Sequence, residues 1–116
     1  MTREELKRKL VEHFSEAANK GEDLARIADN AITLLERIRD ASGGKLDHEC
    51  VHAVLKTLTL TLVDLTLGVT GKYLESEKEL EKEVLAGIAM TAANLGQILA
   101  FAGAANDLLA GEGLEA

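Results

Sequence analysis

Residues 47–74 read DHECVHAVLKTLTLTLVDLTLGVTGKYL, and this stretch decides the fold. It is apolar nearly all round. The Thr-Leu alternation at 57–62 has the period of a β strand, but no other segment offers a partner strand. We therefore predict a central buried helix that is interrupted near Gly68 and Gly71.

Three further segments have helical signals on either side of this stretch. Thr2–Glu5 and Ser76–Glu79 both have the form of a capping box, in which a hydroxyl residue is followed by glutamate three positions later. Apolar residues recur at helical spacing after Thr2 and again from Leu24. Gly21 is predicted to end the first of these segments and Gly43-Gly44 the second. The sequence predicts one all-α domain over residues 1–116, an irregular four-helix bundle.

Composition narrows the possible partners and compartments. The chain has 116 residues, a formal net charge of −7 and a single cysteine. An acidic chain repels phosphate backbones, so we expect no nucleic acid partner, and one cysteine allows no internal disulfide. The charged start Met-Thr-Arg-Glu-Glu carries no targeting signal, so we expect a chain that is soluble and cytoplasmic when expressed, and the sequence does not name its natural compartment. We also expect a monomer.

The uncharged run at residues 85–105 raises the question of a membrane span. Its 21 residues include eight alanines and three glycines, which makes it only weakly hydrophobic. Small residues also suit close packing between helices in a bundle. Our expectation from the sequence is therefore that no membrane is involved.

The chemistry-bearing motif is His48-Glu49-Cys50-Val51-His52, an H-E-x-x-H pattern on a predicted helix. Two histidines four residues apart lie on one face, where both can bind the same Zn²⁺. A glutamate beside the first histidine can act as the general base toward zinc-bound water. A shuffled chain of this composition would contain the pattern roughly 0.006 times, so chance is a poor explanation.

A catalytic zinc site needs a third protein ligand. His13 is the remaining histidine, and it lies about 16 Å along the first helix, so it reaches the metal only if the helices are staggered. Asp107 is the alternative, because the fourth helix should return to the level at which the third begins. The sequence leaves both candidates open.

A substrate pocket is predicted beyond the metal. Leu55, Thr59 and Val63 follow the histidine face along the helix. Gln97 and Phe101 of the fourth helix complete the set, whereas Cys50 and Asp64 face away from the metal side. Leu55, Thr59 and Val63 are equally compatible with ordinary core packing, and Gln97 is compatible with a satisfied buried polar group.

The H-E-x-x-H motif resembles that of the zincin metallohydrolases. The resemblance implies His48 and His52 as zinc ligands and Glu49 as general base, and it extends over five residues only. The lack of proline, the capping boxes and the Glu/Lys-rich helix surfaces resemble de novo designed helical proteins. Together they imply a designed zinc hydrolase acting on a small activated ester.

Two other functions are compatible with the sequence. A helical bundle could instead bind a hydrophobic ligand or haem without hydrolytic activity. Alternatively, residues 57–74 and 85–105 could drive a membrane or oligomeric helical assembly. Retention of zinc with loss of turnover in Glu49→Gln would distinguish the hydrolase from both.

Overall fold

The structure, a computed structural model, describes residues 1–14 and 24–115. The described part contains four helices and no β strand, which confirms the all-α bundle. The helices are α1 (Arg3–Phe14), α2 (Leu24–Ala41), α3 (His48–Glu75) and α4 (Glu79–Leu109). The predicted end of the first helix, at Gly21, lies outside the described residues.

Local sequence signals set most of the helix ends. Thr2 Oγ1 accepts a hydrogen bond from the Glu5 backbone N–H at 3.2 Å, which confirms the hydroxyl half of the first capping box. Gly43 and Gly44 have φ of 79° and 88°, so they end α2 in a left-handed conformation that suits glycine. The prediction that Ser76 opens the last helix with a capping box is wrong, because α4 begins at Glu79 with Lys78 in the cap position.

The predicted interruption of α3 is also absent. The helix is continuous from His48 to Glu75, through both Gly68 and Gly71. A glycine inside a helix weakens it but does not by itself end it, because the residue can adopt helical dihedral angles. The result is a pair of long helices, α3 and α4, joined by only three residues.

The hydrophobic core occupies one end of this pair. α1 and α2 pack against α4 and cover the base of the α3–α4 hairpin. The buried side chains come from all four helices: Leu6, Leu10, Ile27, Ala28, Ala31, Ile32, Leu35, Val51, Leu55, Phe101, Ala102, Ala105 and Leu109. The Phe14 and Phe101 rings stack there at 4.0 Å between centroids.

The prediction that α3 is a buried central helix is wrong. Only Val51, Leu55 and Val69 of its 28 residues are buried. Among the described residues, α1 and α2 pack at the base of the hairpin, and next to the α3–α4 connection only α3 and α4 pack on each other.

Candidate functional site

The first candidate site lies at the start of α3. Asp47 caps this helix, and its Oδ1 accepts the backbone N–H groups of Glu49 at 3.1 Å and Cys50 at 3.2 Å. These bonds, first of all that from the Cys50 N–H, stabilise the carboxylate and hold the pKa of Asp47 below its usual value. The cap fixes the helix start on which both histidines stand.

Asn106 of α4 holds His48 in one orientation. The Asn106 Nδ2 donates to the His48 carbonyl oxygen at 2.9 Å, which turns Oδ1 toward the imidazole ring. Nδ1 of His48 lies 2.9 Å from that Oδ1, so it must carry the proton and donate. In the neutral imidazole, the lone pair with which a histidine binds a metal is then on Nε2.

The other predicted metal-site residues are exposed. His52 and Glu49 lie on the free surface of α3, and Asp107 is exposed at the end of α4. His13 is exposed at the end of described α1, with its ring edge-on to Phe14 at 4.9 Å. Within residues 1–14 and 24–115, no three His, Cys, Asp or Glu side chains are grouped so that they could hold a metal ion.

The described residues therefore supply a histidine pair but not the three-ligand set of a catalytic zinc site. The choice between His13 and Asp107 as third ligand stays a prediction from the sequence. A zinc ion at His48 and His52 needs a ligand from elsewhere.

The residues predicted to form a substrate pocket lie in different surroundings. Leu55 and Phe101 are buried in the core, and Gln97 is half-buried on α4. Thr59 and Val63 line a shallow groove between α3 and α4, which also contacts Gly96. The Thr59 hydroxyl donates to its own helix, to the Leu55 carbonyl oxygen at 2.8 Å.

Cys50 is exposed rather than buried. The Cys50 thiol is hydrogen-bonded to the Asp47 carboxylate, and this bond, together with the negative charge of the carboxylate, raises the pKa of Cys50. A raised pKa reduces the fraction of thiolate, which is the nucleophilic form. The geometry gives Cys50 no sign of an activated nucleophile.

The second candidate site is the apolar surface of the hairpin. We define the free hairpin as residues 54–74 of α3 and 80–95 of α4. Large apolar side chains are exposed along it: Val54, Leu58, Leu60, Val63, Leu65, Leu67, Tyr73, Leu74, Leu80, Val84, Ile88, Met90 and Leu95. An exposed surface of this size marks a site that another molecule or a membrane covers.

Both helices of the hairpin are long and apolar enough to cross a membrane. A core helix of a soluble protein can meet the same criterion, but such a helix is mostly buried. Here only 11% of the most apolar 18-residue stretch of each helix is buried. Burial therefore does not account for the apolar character of α3 and α4 within the single chain.

Five of the six threonine hydroxyls on the free hairpin, all except that of Thr70, are bonded within their own helices. Each donates to the carbonyl oxygen four residues earlier, at 2.8–3.0 Å; they are Thr57, Thr59, Thr61, Thr66 and Thr91. A hydroxyl bonded in this way needs no water. The Thr-Leu pattern that resembles a β strand is thus compatible with an apolar environment.

Charge collects at the tip of the hairpin. Residues 72–83 contain five glutamates and three lysines around the α3–α4 connection. Tyr73 lies in this region, with Lys82 Nζ 5.4 Å from its ring centroid. Aromatic and charged side chains at the end of an apolar helix pair are typical of the boundary between lipid and water.

Sequence reasoning missed Asn106, the partner of His48. The argument that α4 returns to the level of the α3 start was right, but it selected Asp107, the adjacent residue. The faces of two helices that meet depend on how the chain packs, and no pattern in either helix reports that. Comparison of the chain with protein families, curated proteins and solved structures found no match.

Proposed function

We propose that this chain is a membrane protein whose α3–α4 hairpin inserts into a lipid bilayer. The observation that carries the proposal is the exposure of large apolar side chains around both helices of the free hairpin. A helix that is apolar all round is buried in a large core or in lipid. Among the residues that the structure describes, the core cluster does not extend to this end of the hairpin.

The dimensions of the free hairpin match a bilayer. From Val54 to Leu74 is about 30 Å along α3, the thickness of a typical hydrocarbon layer. On α4, residues 84–104 lie level with this span, carry no charge and also extend about 30 Å, partly beyond the free hairpin and into the core. Lys56 lies near one end of the span, where a lysine can extend its ammonium group toward water.

Hydrogen bonding within the hairpin also suits lipid. A bilayer interior offers no water, so every backbone polar group must be satisfied inside the segment. Both helices are continuous, and the three-residue connection between them lies in the charged tip. The bonded threonine hydroxyls remove a further set of polar groups that lipid could not satisfy.

The amphipathic α2 helix has a place at the membrane surface. In the structure it packs beside α4, and its Asn30 and Leu34 line a groove together with Leu95 and Ile98. Its outward side is polar, so full insertion of the hairpin requires α1 and α2 to move off α4 and lie at the interface. Gly43 and Gly44, between α2 and α3, are the natural hinge, with open space around both.

The distribution of basic residues predicts the orientation. Of the 13 lysines and arginines, nine precede residue 54, one is Lys56, and three lie in residues 72–83. Cytoplasmic segments of membrane proteins are enriched in lysine and arginine. We therefore place both ends of the chain on the cytoplasmic side and the hairpin tip on the other.

Alkaline carbonate extraction of membranes from cells expressing the full chain tests the insertion. We expect the parent chain to stay in the membrane pellet. Leu60→Lys with Leu67→Lys should release it, because both positions lie in the apolar span and two buried lysines cost about 5–7 kcal/mol. Glu77→Lys with Glu81→Lys, at the charged tip, is the matched control and should stay in the pellet. A parent chain that is released by carbonate, or that purifies without detergent as a soluble species, would overturn the proposal.

The second candidate function is metal binding at His48 and His52, with Glu49 as general base of an ester hydrolase. The observation that favours it is the Asn106 contact, which leaves Nε2 of His48 ready to accept a metal. This site lies at the base of the hairpin, outside the span, so it is compatible with insertion.

Zinc content after dialysis against a weak chelator tests the second candidate. We expect one zinc per chain in the parent and none in His52→Ala. If zinc is bound, Glu49→Gln should keep the metal and lose ester turnover. A parent chain without zinc would exclude the hydrolase.

A further inference from the structure

Two polar side chains interrupt the middle of the free hairpin. Between Thr57 and Gly71 on α3 and between Val84 and Gly96 on α4, Asp64 and Asn94 are the only polar residues other than threonine. Both are exposed, and neither has a hydrogen bond or ion pair within the part of the chain that the structure describes. Asp64 is at the midpoint of the span from Val54 to Leu74, where an unpartnered carboxylate is most costly in lipid.

Asp64 and Asn94 lie at the same depth in the hairpin. The helices are antiparallel, and a Cβ placed on Gly96 would lie 3.7 Å from Leu62 Cδ2, so these two residues face each other. Two residues onward from Leu62 is Asp64, and two residues back from Gly96 is Asn94. The two polar side chains are therefore level with each other.

They nevertheless point away from each other. A step of two residues turns a side chain by about 200° around a helix, so both leave the face on which Leu62 meets Gly96. Asp64 is on the outer face of α3 and Asn94 is on the outer face of α4. One hairpin thus presents an acceptor on one side and an amide donor on the other, at one depth.

We propose that inserted hairpins assemble side by side, with the outer face of α3 in one copy against the outer face of α4 in the next. Asn94 Nδ2 of one copy donates to the Asp64 carboxylate of its neighbour. The proposal rests on the membrane function above, because the depth match matters only where all copies share one orientation in a bilayer. Each copy uses two different faces, so the contact repeats and builds a ring or a row rather than a closed pair.

The same geometry supplies cysteine positions that leave both polar side chains intact. Gly71 is seven residues after Asp64, and Gly87 is seven residues before Asn94, so the two glycines share the same outer faces and are again level. Both are exposed with open space for a Cβ. In one hairpin they point apart, so a disulfide between them must join two copies.

The test is oxidative cross-linking of the full chain in membranes, in a Cys50→Ser background. Gly71→Cys combined with Gly87→Cys should give dimers, trimers and higher species. Either substitution alone should give only monomer. Dimers from Gly71→Cys alone would show that α3 packs on α3 and would overturn the proposal, as would the absence of cross-links in the double variant.

Removing one polar partner tests the hydrogen bond itself. In the double-cysteine chain, Asp64→Ala or Asn94→Ala should lower the cross-linked fraction about fivefold, the effect of one hydrogen bond between helices in a membrane. Asp64→Asn keeps an acceptor and should retain the cross-links. Unchanged cross-linking in both alanine variants would overturn the role of the pair. Carbonate extraction of the same samples separates this failure from failure of membrane insertion.

Discussion

Replacing Asn106, the one buried polar residue among those that the structure describes, with alanine should destabilise the protein. Asn106 is 2% exposed and makes two hydrogen bonds of 2.9 Å, one with the ring and one with the carbonyl oxygen of His48. Leaving a buried polar group unpaired costs about 1–3 kcal/mol. Two groups of His48, the ring Nδ1 and the carbonyl oxygen, lose their partner in the variant. Because His48 is only half-buried, water replaces part of both losses, and we expect a total of about 2–3 kcal/mol.

Thermal unfolding in detergent, followed by circular dichroism, measures this loss. The expected fall in Tm is roughly 10 °C for a chain of this size. Asn30→Ala is the matched control, because Asn30 is an exposed asparagine inside α2 and should change the Tm little. A Tm for Asn106→Ala within about 2 °C of the parent would refute the reasoning that these two bonds fix the start of α3 on α4. If the histidine pair binds zinc, the same variant should bind it about 10–100-fold more weakly.

Three further predictions concern the hairpin and its cap. In a Cys50→Ser background, a bismaleimide link between Asn30→Cys and Ile98→Cys should hold α2 on α4 and so reduce insertion of the hairpin into vesicles. If the link left insertion unchanged, movement of α2 would not be needed. In the parent chain, Cys50 should react with an impermeant maleimide only from the cytoplasmic face of membrane vesicles. In a Cys50→Ser background, Ser76→Cys should react only from the other face, and the reverse pattern would contradict the assigned orientation. Asp47→Ala should lower stability at pH 7, because the pKa of Asp47 is lower in the folded state and its stabilising contribution is present above the unfolded value of about 3.8. That contribution is lost as the pH falls through the folded pKa, so the free energies of unfolding of parent and variant should converge in acid. A difference in stability that persists in acid would exclude the charge of Asp47 as its cause.

Helix positions were largely readable from the sequence, because their signals are local. Gly43 and Gly44 mark the end of α2 in the sequence as in the structure. Ser76 was a weaker guide, since its hydroxyl accepts from the Lys78 backbone N–H at 3.3 Å instead of capping a helix that begins next to it. Gly68 and Gly71 suggested a break in α3 because glycine lowers helix propensity. The sequence alone does not show that the flanking turns pack on α4 and keep the helix continuous.

Burial was much less predictable. Residues 57–74 and 85–105 have the composition of a core, and the same composition suits lipid or another protein chain. Only the position of the covering helices decides between these environments, and the core cluster contains Val51 and Leu55 of α3 but no residue from 57–74. Asn106 was missed for a related reason, because its role comes from the level at which α4 passes His48.

The tip of the hairpin gives the protein a spectroscopic property that follows from its composition. Tyr73 is the only tyrosine, and the chain contains no tryptophan, so the fluorescence of the whole protein comes from one ring at one end. That ring lies beneath Lys82, at the boundary between the apolar helices and the charged connection. Quenchers attached at different positions along a lipid tail would therefore report the depth of a single known point, in the unlabelled protein.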